Sequence, residues 1–333
     1  MTPTGGDRAP DPPVVLVCGA SAAQPPPGVE AVGNIAELRF APDDEALFEA
    51  IGDADAIFTW RIDGETLARA WSRAAHVRWI QTSSDGVDDL LFPALVTRED
   101  VVVTNARGTF EEPIAEWAIG AMLSLATGLH RSIADQQHRR WDGDRHTRRL
   151  AGRHLLVVGP GPIGRATARR ARALGMTVAA VGRHAREDDL FGRVAGPDEF
   201  HSLLASADVV LDALPLTAET RRRFDDEAFA AMRPGAWFVN VGRGATVDEP
   251  ALVEALRAGR PGAAALDVFE IEPLPDASPL WSLPNVIVSP HISGDVERWE
   301  TQVVDLFVDN VGRFVRGEPM RNLVDVRAGF GVG

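Results

Sequence analysis

The chain has 333 residues, of which 45% are hydrophobic and 25% are charged, and it carries a formal net charge of -14. This length and composition predict two globular domains with ordinary hydrophobic cores, and they argue against bulk disorder. The negative charge disfavours a nucleic-acid-binding surface, because phosphate backbones are bound by clustered positive charge.

Lysine and tyrosine are absent, so all 34 positions counted as Lys or Arg are arginine. Without lysine the chain cannot form a Schiff base or a P-loop, and a tyrosine–lysine dehydrogenase mechanism is excluded as well. The single cysteine, Cys18, lies in an apolar run and is interpreted as a core residue. One cysteine permits no intrachain disulfide, which fits a reducing compartment, and with scattered histidines it predicts no metal site.

The N-terminal segment, residues 1–13, lacks the apolar stretch of a signal peptide. No apolar run of about 18 residues follows that could form a transmembrane helix. We therefore expect a cytoplasmic protein that does not bind membranes.

Short apolar runs alternate with helical or turn-rich stretches through the first hundred residues. The runs are interpreted as buried strands at residues 14–17, 56–59, 77–81 and 101–104. After them, residues 113–129 carry apolar side chains at helical spacing behind Pro113, and this helix is expected to link two domains.

A second series of apolar runs predicts strands at residues 155–158, 178–181, 209–213, 237–241, 263–267 and 286–289. Their hydrophobicity is continuous, which indicates burial on both faces, as in a doubly wound parallel sheet. Residues 294–333 contain an amphipathic helix that is expected to return to the first domain.

The predicted fold class is therefore α/β, with two doubly wound parallel-sheet domains and an active-site cleft between them. We expect a discontinuous substrate domain, residues 1–107 plus 295–333, and a dinucleotide-binding domain, residues 108–294.

A glycine motif follows the first strand of the second series and opens a predicted helix at residues 165–174. Gly159, Gly161 and Gly164 have the GxGxxG spacing of a dinucleotide site, with Pro162 and Ile163 at the start of the helix. Glycine permits close approach of the backbone, and the free N–H groups of a helix N-terminus attract a pyrophosphate.

The end of the second strand in this series distinguishes NAD from NADP. An NAD site places Asp or Glu there to bind the ribose 2′-hydroxyl, but this chain has Gly182 at that position. Arg183 follows at once and Arg186 is near, so a 2′-phosphate is favoured. We therefore predict NADP(H), with NAD(H) left open and with Arg183 as a solvated loop charge as the alternative.

Three polar residues each follow a predicted strand of the second series: Arg243, Glu272 and His291. Ligands of such sheets bind beyond the carboxyl ends of the strands, so these three side chains are expected to converge. Taken singly, each could be an ordinary loop or surface residue.

These segments, with the glycine motif and the run Ala213-Leu214-Pro215-Leu216-Thr217, resemble the D-isomer-specific 2-hydroxyacid dehydrogenase family. The resemblance spans nearly the whole chain and is closest over residues 155–294. It implies a flavodoxin-like substrate domain, a Rossmann cofactor domain and an NAD(P)-dependent oxidoreductase of the glyoxylate/hydroxypyruvate reductase kind. A homodimer formed through residues 113–150 is also implied.

The resemblance also implies a mechanism for reducing a 2-keto acid to the D-2-hydroxy acid. His291 would donate a proton to the carbonyl oxygen. Glu272 would orient His291 and raise its pKa. Arg243 would bind the substrate carboxylate and polarise the carbonyl.

Further contacts to the cofactor are expected from Leu214, Pro215, Thr217, Val241 and Asp267. The resemblance implies that Asp267 contacts the nicotinamide carboxamide, although a capping or strand-end role would look the same in the sequence.

A loop in the weaker first hundred residues resembles the one whose backbone N–H groups bind the substrate carboxylate. Its residues are Ser84, Asp85, Gly86 and Val87, and the charge of Asp85 could disfavour an anion. Trp60 and Arg61 end an early strand, and they could line the pocket or pack within the domain.

We expect a small substrate such as glyoxylate or hydroxypyruvate, because an NADP site suits reduction and the chain ends without a regulatory extension. Glu272 argues against formate oxidation, since formate-oxidising relatives carry Gln at this position. A dinucleotide-sensing scaffold or corepressor on the same fold remains the alternative.

Overall fold

The computed structural model describes residues 12–331, so the expectation for the N-terminal segment rests largely on residues outside the described ones. The contacts separate the chain into two units. Unit 1 extends to Thr109 and resumes at Arg298, and unit 2 is Phe110–Glu297. These boundaries fall within three residues of the predicted ones, while the assignment of the units to substrate and cofactor stays a prediction. Within residues 12–331, no helix is long and apolar enough to span a membrane.

Unit 1 is built on a five-stranded parallel sheet. Its strands are β1 (Val14–Cys18), β2 (Glu37–Ala41), β3 (Ala56–Thr59), β4 (Trp79–Thr82) and β5 (Val102–Thr104). Its helices are α1 (Asp44–Ala50), α2 (Gly64–Ala70), α3 (Pro93–Val96) and α10 (Trp299–Arg316), and a small hairpin pairs β14 (Val324–Asp325) with β15 (Phe330–Gly331). The strand order β2-β1-β3-β4-β5 is the flavodoxin-like order that the resemblance implied.

Helix α10 docks on the sheet of unit 1 through an aromatic stack and a buried amide. The rings of Phe307 and Phe58 stack with centroids 4.1 Å apart. Asn310 is fully buried, and its Nδ2 donates to Oε1 of Gln81 on β4 at 2.9 Å. A buried amide is costly unless it is hydrogen-bonded, so this contact fixes where the helix can sit. The expected return of the C-terminal segment to the first unit is therefore observed.

Unit 2 contains an eight-stranded sheet in the order β13-β12-β11-β10-β6-β7-β9-β8. The strands are β6 (His154–Val158), β7 (Thr177–Val181), β8 (Arg186–Asp188), β9 (Gly192–Ala195), β10 (Val209–Asp212), β11 (Trp237–Asn240), β12 (Ala263–Leu266) and β13 (Val286–Val288). The helices are α4 (Glu111–Thr127), α5 (Leu129–Gln137), α6 (Pro162–Ala173), α7 (Phe200–Leu204), α8 (Asp226–Ala231) and α9 (Glu249–Arg257).

Two separate clusters of buried side chains cover the two faces of this sheet. One includes Leu156, Phe238 and Leu266, and the other includes Leu155, Val239 and Ala265. Neighbouring residues of one strand thus enter different clusters, which is why the strands are continuously apolar. Seven strands run parallel, in the Rossmann order with one strand added beyond β12. Strand β8 is antiparallel to β9 and departs from the expected all-parallel sheet.

Candidate active site

The carboxyl ends of three neighbouring parallel strands position the predicted catalytic residues. Strands β11, β12 and β13 pair in register, with Asn240 opposite Leu266 and Leu266 opposite Val288. Arg243 follows β11, and His291 follows β13. The structure therefore brings segments distant in the sequence to one edge of the sheet in unit 2.

His291 and Glu272 form a direct hydrogen bond at this edge. Nδ1 of His291 donates to Oε2 of Glu272 at 2.7 Å, and the backbone N–H of Phe269 donates to Oε1 of Glu272 at 2.9 Å. The carboxylate is thus fixed at both oxygens. Because Nδ1 is engaged, Nε2 is the ring nitrogen available for proton transfer.

The histidine and the carboxylate shift one another's pKa. The hydrogen bond that His291 donates to Glu272 is the largest effect on His291 and raises its pKa above 6.5, against the opposing effect of burial. Burial by itself would raise the pKa of Glu272, but the hydrogen bonds from His291 and Phe269 outweigh it and lower the pKa below 4.5. The pair therefore favours an imidazolium beside a carboxylate.

Arg243 acts on both members of this pair through its charge. After the larger effects named above, its guanidinium lowers the pKa of His291 and of Glu272. Gly244 explains the close approach of this loop to the Glu272 segment: a Cβ at Gly244 would lie 1.8 Å from the carbonyl carbon of Phe269. Only glycine fits at this position. The three predicted catalytic side chains therefore lie close enough for the Arg243 charge to act on both His291 and Glu272.

The loop that carries His291 is held by the buried carboxylate of Asp267. Its Oδ1 accepts hydrogen bonds from the Ser289 hydroxyl at 2.6 Å and the Ile292 N–H at 3.1 Å, and its Oδ2 accepts one from the Ser293 N–H at 3.0 Å. His291 itself has φ 55, in the left-handed region. Asp267 thus has the strand-end role that the sequence left open, and its contact with a nicotinamide carboxamide stays a prediction.

The glycine motif has the shape that a dinucleotide requires. Gly159 has φ 95, and a Cβ there would lie 2.6 Å from the carbonyl oxygen of Ala213. A Cβ at Gly164 would lie 2.4 Å from the carbonyl oxygen of Gly159, so helix α6 packs tightly on the strand. Gly161 is the N-cap residue of α6, directly before Pro162. As a glycine it has no side chain to cap the helix, and open space lies where a Cβ would be. The N-terminus of α6 is thereby left accessible to an anion.

Strand β7 is followed by a glycine and by arginines, with no acidic residue at the position of Gly182. Arg183 and Arg186 are exposed. A Cβ at Gly182 would lie 3.1 Å from Cγ1 of Val194 and 3.3 Å from Cγ of Pro160. An acidic side chain at Gly182 would therefore require its neighbours to move.

The remaining predicted cofactor residues differ in accessibility. Pro215 is exposed, and Leu214 and Ile163 are partly buried. The hydroxyl of Thr217 donates to Oε2 of Glu219 at 2.8 Å, which ties the loop after β10 to itself. Val241 is 4% exposed and belongs to a core cluster, so its side chain has a packing role.

The predicted substrate residues lie in unit 1, at the carboxyl ends of β3 and β4. The segment Ser84, Asp85, Gly86 and Val87 follows β4, and Ser84 accepts the N–H of Ala106 at its carbonyl oxygen at 2.9 Å. The backbone carbonyl of Asp85 accepts from Nδ2 of Asn105 at 2.6 Å, and its Oδ1 lies 3.4 Å from the same amide. The Asp85 carboxylate thus has a local donor.

The side chains of Trp60 and Arg61 both contact helix α10 within unit 1. Trp60 is 7% exposed and stacks on Trp299 with ring centroids 5.8 Å apart. Nη2 of Arg61 donates to Oε1 of Glu300 at 2.8 Å. Of the two roles open for Trp60, packing within the unit is the one observed.

Several contributors were not predicted from the sequence: Ser289, the N–H of Phe269, and Asn240, whose Nδ2 donates to the Arg243 carbonyl oxygen at 3.2 Å. Of these three, only Ser289 had a sequence signal, because it lies two residues before the predicted catalytic His291. Among residues 12–331, no group of three or more His, Cys, Asp or Glu side chains could hold a metal ion.

Comparison with known proteins gives a consistent result. The model of the D-isomer specific 2-hydroxyacid dehydrogenase NAD binding domain matches residues 119–293. The chain is 35% identical to the glyoxylate/hydroxypyruvate reductase B of Salmonella schwarzengrund over 282 residues, covering 79% of this chain and 83% of that protein. It is 32% identical over 301 residues to a D-3-phosphoglycerate dehydrogenase of Methanocaldococcus jannaschii, covering 90% of this chain but only 56% of that protein's length.

A solved structure agrees with both units of the fold. The D-isomer specific 2-hydroxyacid dehydrogenase of Xanthobacter autotrophicus, solved in complex with NADPH and MES, superposes with a TM-score of 0.78 at 29% identity. The match covers 96% of this chain and 100% of that one.

The His291–Glu272 hydrogen bond predicts the direction of a pKa change. In Glu272→Gln the carboxylate charge is lost, so His291 should titrate at lower pH than in the wild type. Proton NMR of the histidine ring across the neutral range measures this shift. Glu254→Gln, an exposed carboxylate on α9 that pairs with Arg257, is the control and should leave the titration unchanged. An unchanged His291 titration in Glu272→Gln would show that the pair does not form in solution.

Proposed function

The chain belongs to the D-isomer specific 2-hydroxyacid dehydrogenase family, and we propose that it is an NADP-dependent reductase of a small 2-keto acid. The observation that carries the proposal is the hydrogen-bonded pair of His291 and Glu272, within electrostatic reach of Arg243 at the carboxyl edge of the unit 2 sheet. The product is the D-2-hydroxy acid.

Each of the three side chains has a distinct task in this reaction. A nicotinamide dinucleotide, when bound at the glycine motif, would supply the hydride for the keto carbon. Negative charge then grows on the carbonyl oxygen, and Nε2 of the His291 imidazolium donates its proton there. Glu272 keeps His291 protonated and oriented. Arg243 binds the substrate carboxylate, because a guanidinium presents a planar fork of donors that matches it.

The residues at the cofactor site fit NADP better than NAD. Ribose binding in NAD-specific sites requires a carboxylate at the end of the second strand, and Gly182 lacks that side chain; a larger residue there would have to displace Val194 and Pro160 slightly. Arg183 and Arg186 are exposed beside it, where they can pair with a 2′-phosphate. The solved relative from Xanthobacter, which binds NADPH, supports the same assignment.

The relatives and the loop after β4 in unit 1 support a choice of substrate. We propose glyoxylate or hydroxypyruvate, the substrates in the name of the Salmonella relative. The loop Ser84–Val87 is proposed to bind the carboxylate through its backbone. The buried Cys18, whose pKa burial raises to about 12, suits a cytoplasmic enzyme without thiol chemistry.

A direct assay tests the activity and the role of His291 together. Wild type should oxidise NADPH with glyoxylate or hydroxypyruvate in initial-rate measurements at 340 nm, the absorbance band of the reduced nicotinamide, run in parallel with NADH, pyruvate and phenylpyruvate. His291→Ala removes the proton donor and should lower kcat by roughly 10²–10⁴-fold. His201→Ala, an exposed histidine on α7, is the matched control and should retain the wild-type rate.

Two results would contradict parts of this proposal. A wild-type kcat in His291→Ala would contradict the role of His291 as proton donor, although the reductase activity itself would stand. Tight NADPH binding without turnover of any 2-keto acid would favour a dinucleotide-sensing scaffold, and the search would turn to protein partners.

The preference for NADP depends on charge at the 2′-phosphate. In Arg183→Ala the Kd for NADPH should rise roughly 10- to 100-fold, since hydrogen bonds to charged groups contribute about 1.5–3 kcal/mol, while the Kd for NADH should hardly change. Nicotinamide fluorescence titration measures both constants without turnover. Arg257→Ala, on the exposed face of α9, is the control. Equal losses for NADPH and NADH would contradict the role of Arg183.

We further propose that two copies of the chain associate through α5 and the segment after it. Leu129 and Ile133 on α5 are 54% and 52% exposed, and Trp141 is 96% exposed. Large apolar side chains grouped on one region are typical of a protein interface, and two-fold dimers are the commonest assembly.

Sedimentation or light scattering at micromolar concentration tests this dimer. Wild type should have twice the chain mass, and Trp141→Ser should shift the equilibrium toward monomer because the interface loses an aromatic side chain. Trp281→Ser is the matched control, since Trp281 is also exposed, at 53%, but lies outside this region. A wild type of single-chain mass would disprove the association.

A further inference from the structure

One buried carboxyl group in unit 2 has no task in the proposed reaction. Asp212 is the last residue of β10 and is 0% exposed. The N–H of Leu214 donates to its Oδ1 at 3.0 Å. Within residues 12–331 no charged group contributes to its pKa, although an ionised carboxylate is costly to bury without a cation.

The second carboxyl oxygen of Asp212 contacts the Thr246 hydroxyl, which has two hydrogen-bond partners but only one hydrogen to donate. Oγ1 of Thr246 is 2.5 Å from Oδ2 of Asp212 and 2.6 Å from the carbonyl oxygen of Arg243. A hydroxyl donates only one hydrogen bond, and neither a carboxylate nor a carbonyl can donate. Both contacts are satisfied only when Asp212 carries a proton on Oδ2 and donates it to Thr246, which in turn donates to the Arg243 carbonyl.

The surroundings of Asp212 favour this neutral form. In the sheet Asp212 lies opposite Val158 of β6 and Asn240 of β11, and Leu214 and Thr246 approach it from the loops. None of these four residues is charged, and the Thr246 hydroxyl joins the Asp212 carboxyl to the Arg243 carbonyl oxygen. Burial raises the pKa of Asp212 to about 7, although the Thr246 and Leu214 hydrogen bonds oppose the increase.

We propose that Asp212 is held as the neutral acid and positions Arg243 through a hydrogen-bond chain from Asp212 to Thr246 to the Arg243 carbonyl. Asp212 is thus a positioning residue, since it acts on the substrate through Arg243. The functional half of this inference rests on the proposed binding of the substrate carboxylate by Arg243; the protonation of Asp212 does not.

The consequence of losing the proton follows from the same geometry. An ionised Asp212 would take the Thr246 hydrogen for itself. Thr246 Oγ1 and the Arg243 carbonyl oxygen would then face each other at 2.6 Å with no hydrogen between them, and they would repel. The Asn240 amide and the backbone N–H of Thr246, each at 3.2 Å, would remain as donors to that carbonyl. The backbone of Arg243 would shift, and the guanidinium with it.

The protonation state can be measured without any turnover. Carboxyl ¹³C NMR of aspartate-labelled protein, with the Asp212 signal assigned by its loss in Asp212→Asn, should show a protonated carboxyl at about pH 6 that titrates near the value of about 7. An ionised Asp212 at about pH 6 would overturn the proposal.

A stability comparison gives an independent check of the proton. The folded-state pKa of Asp212 lies above the 3.8 of an ordinary Asp, so wild type loses stability relative to Asp212→Asn as the pH rises from about 4 to about 7, with no further loss above that range. The difference in Tm between the two proteins should therefore grow over this interval. A difference that is constant with pH would contradict a raised pKa.

Kinetics of paired variants test the link to Arg243. Asn can replace the neutral acid, because its Nδ2 donates to Thr246 and its Oδ1 accepts from Leu214, whereas Leu can do neither. Asp212→Leu and Thr246→Val should raise KM for the keto acid by roughly tenfold, about the effect of losing one or two hydrogen bonds, with kcat changed less. Asp212→Asn and Thr246→Ser should remain within about twofold of wild type.

The outcomes separate the two proposals. Equal loss in Asp212→Asn and Asp212→Leu would refute the neutral-acid chain, and if Asp212→Leu fails to fold, Thr246→Val against Thr246→Ser decides the same point. If wild type turns over no keto acid, the proposed function fails, while the NMR titration still decides whether Asp212 carries the proton.

Discussion

The buried Asp267 carboxylate is the interaction on which the candidate site depends. Its two oxygens hold the hydroxyl of Ser289 and the N–H groups of Ile292 and Ser293, so the loop between them has little freedom. His291 lies inside this loop with a left-handed backbone that costs an L-residue roughly 1–2 kcal/mol. The loop hydrogen bonds offset that cost and direct the imidazole at Glu272. An aspartate at the end of β12 thereby fixes a histidine that follows β13.

The His291–Glu272 pair also links the site to folding. Because the folded-state pKa of His291 is raised, its contribution to stability is fully present below the ordinary value of 6.5 and is lost as the pH rises through the folded-state pKa. The pKa of Glu272 is lowered, so its contribution is present above 4.5 and is lost as the pH falls through the folded-state pKa. The charged pair therefore stabilises the fold most between these two ordinary values.

Much of the fold could be predicted from the sequence because the strands are buried on both faces. The run at residues 56–59 coincides with β3, and most other strands end within two residues of the prediction. Strand β2 was missed because its sequence, Glu-Leu-Arg-Phe-Ala, lies at a sheet edge and mixes charged with apolar side chains. Strand β8 was missed for the same reason, since Arg186–Asp188 is entirely charged. Strand β9, between β7 and β8, was also missed, because only its last two residues, Val194 and Ala195, are apolar and buried. Hydrophobic periodicity cannot identify an edge strand that faces water.

The site residues that could be predicted from the sequence are those that follow a strand, such as Arg243 after β11 and His291 after β13. Contacts between side chains far apart in the sequence, such as Asp212 with Thr246, have no sequence signal, and here they decide the chemistry. Glu272 and Asp212 are the same functional group in opposite environments. Two donors and a nearby cation make Glu272 an anion, whereas burial without a cation raises the pKa of Asp212 to about 7. A carboxylate that accepts hydrogen bonds and the proposed carboxylic acid that donates one thus lie in a single unit because their surroundings differ, as in enzymes that separate acid from base with two carboxyl groups.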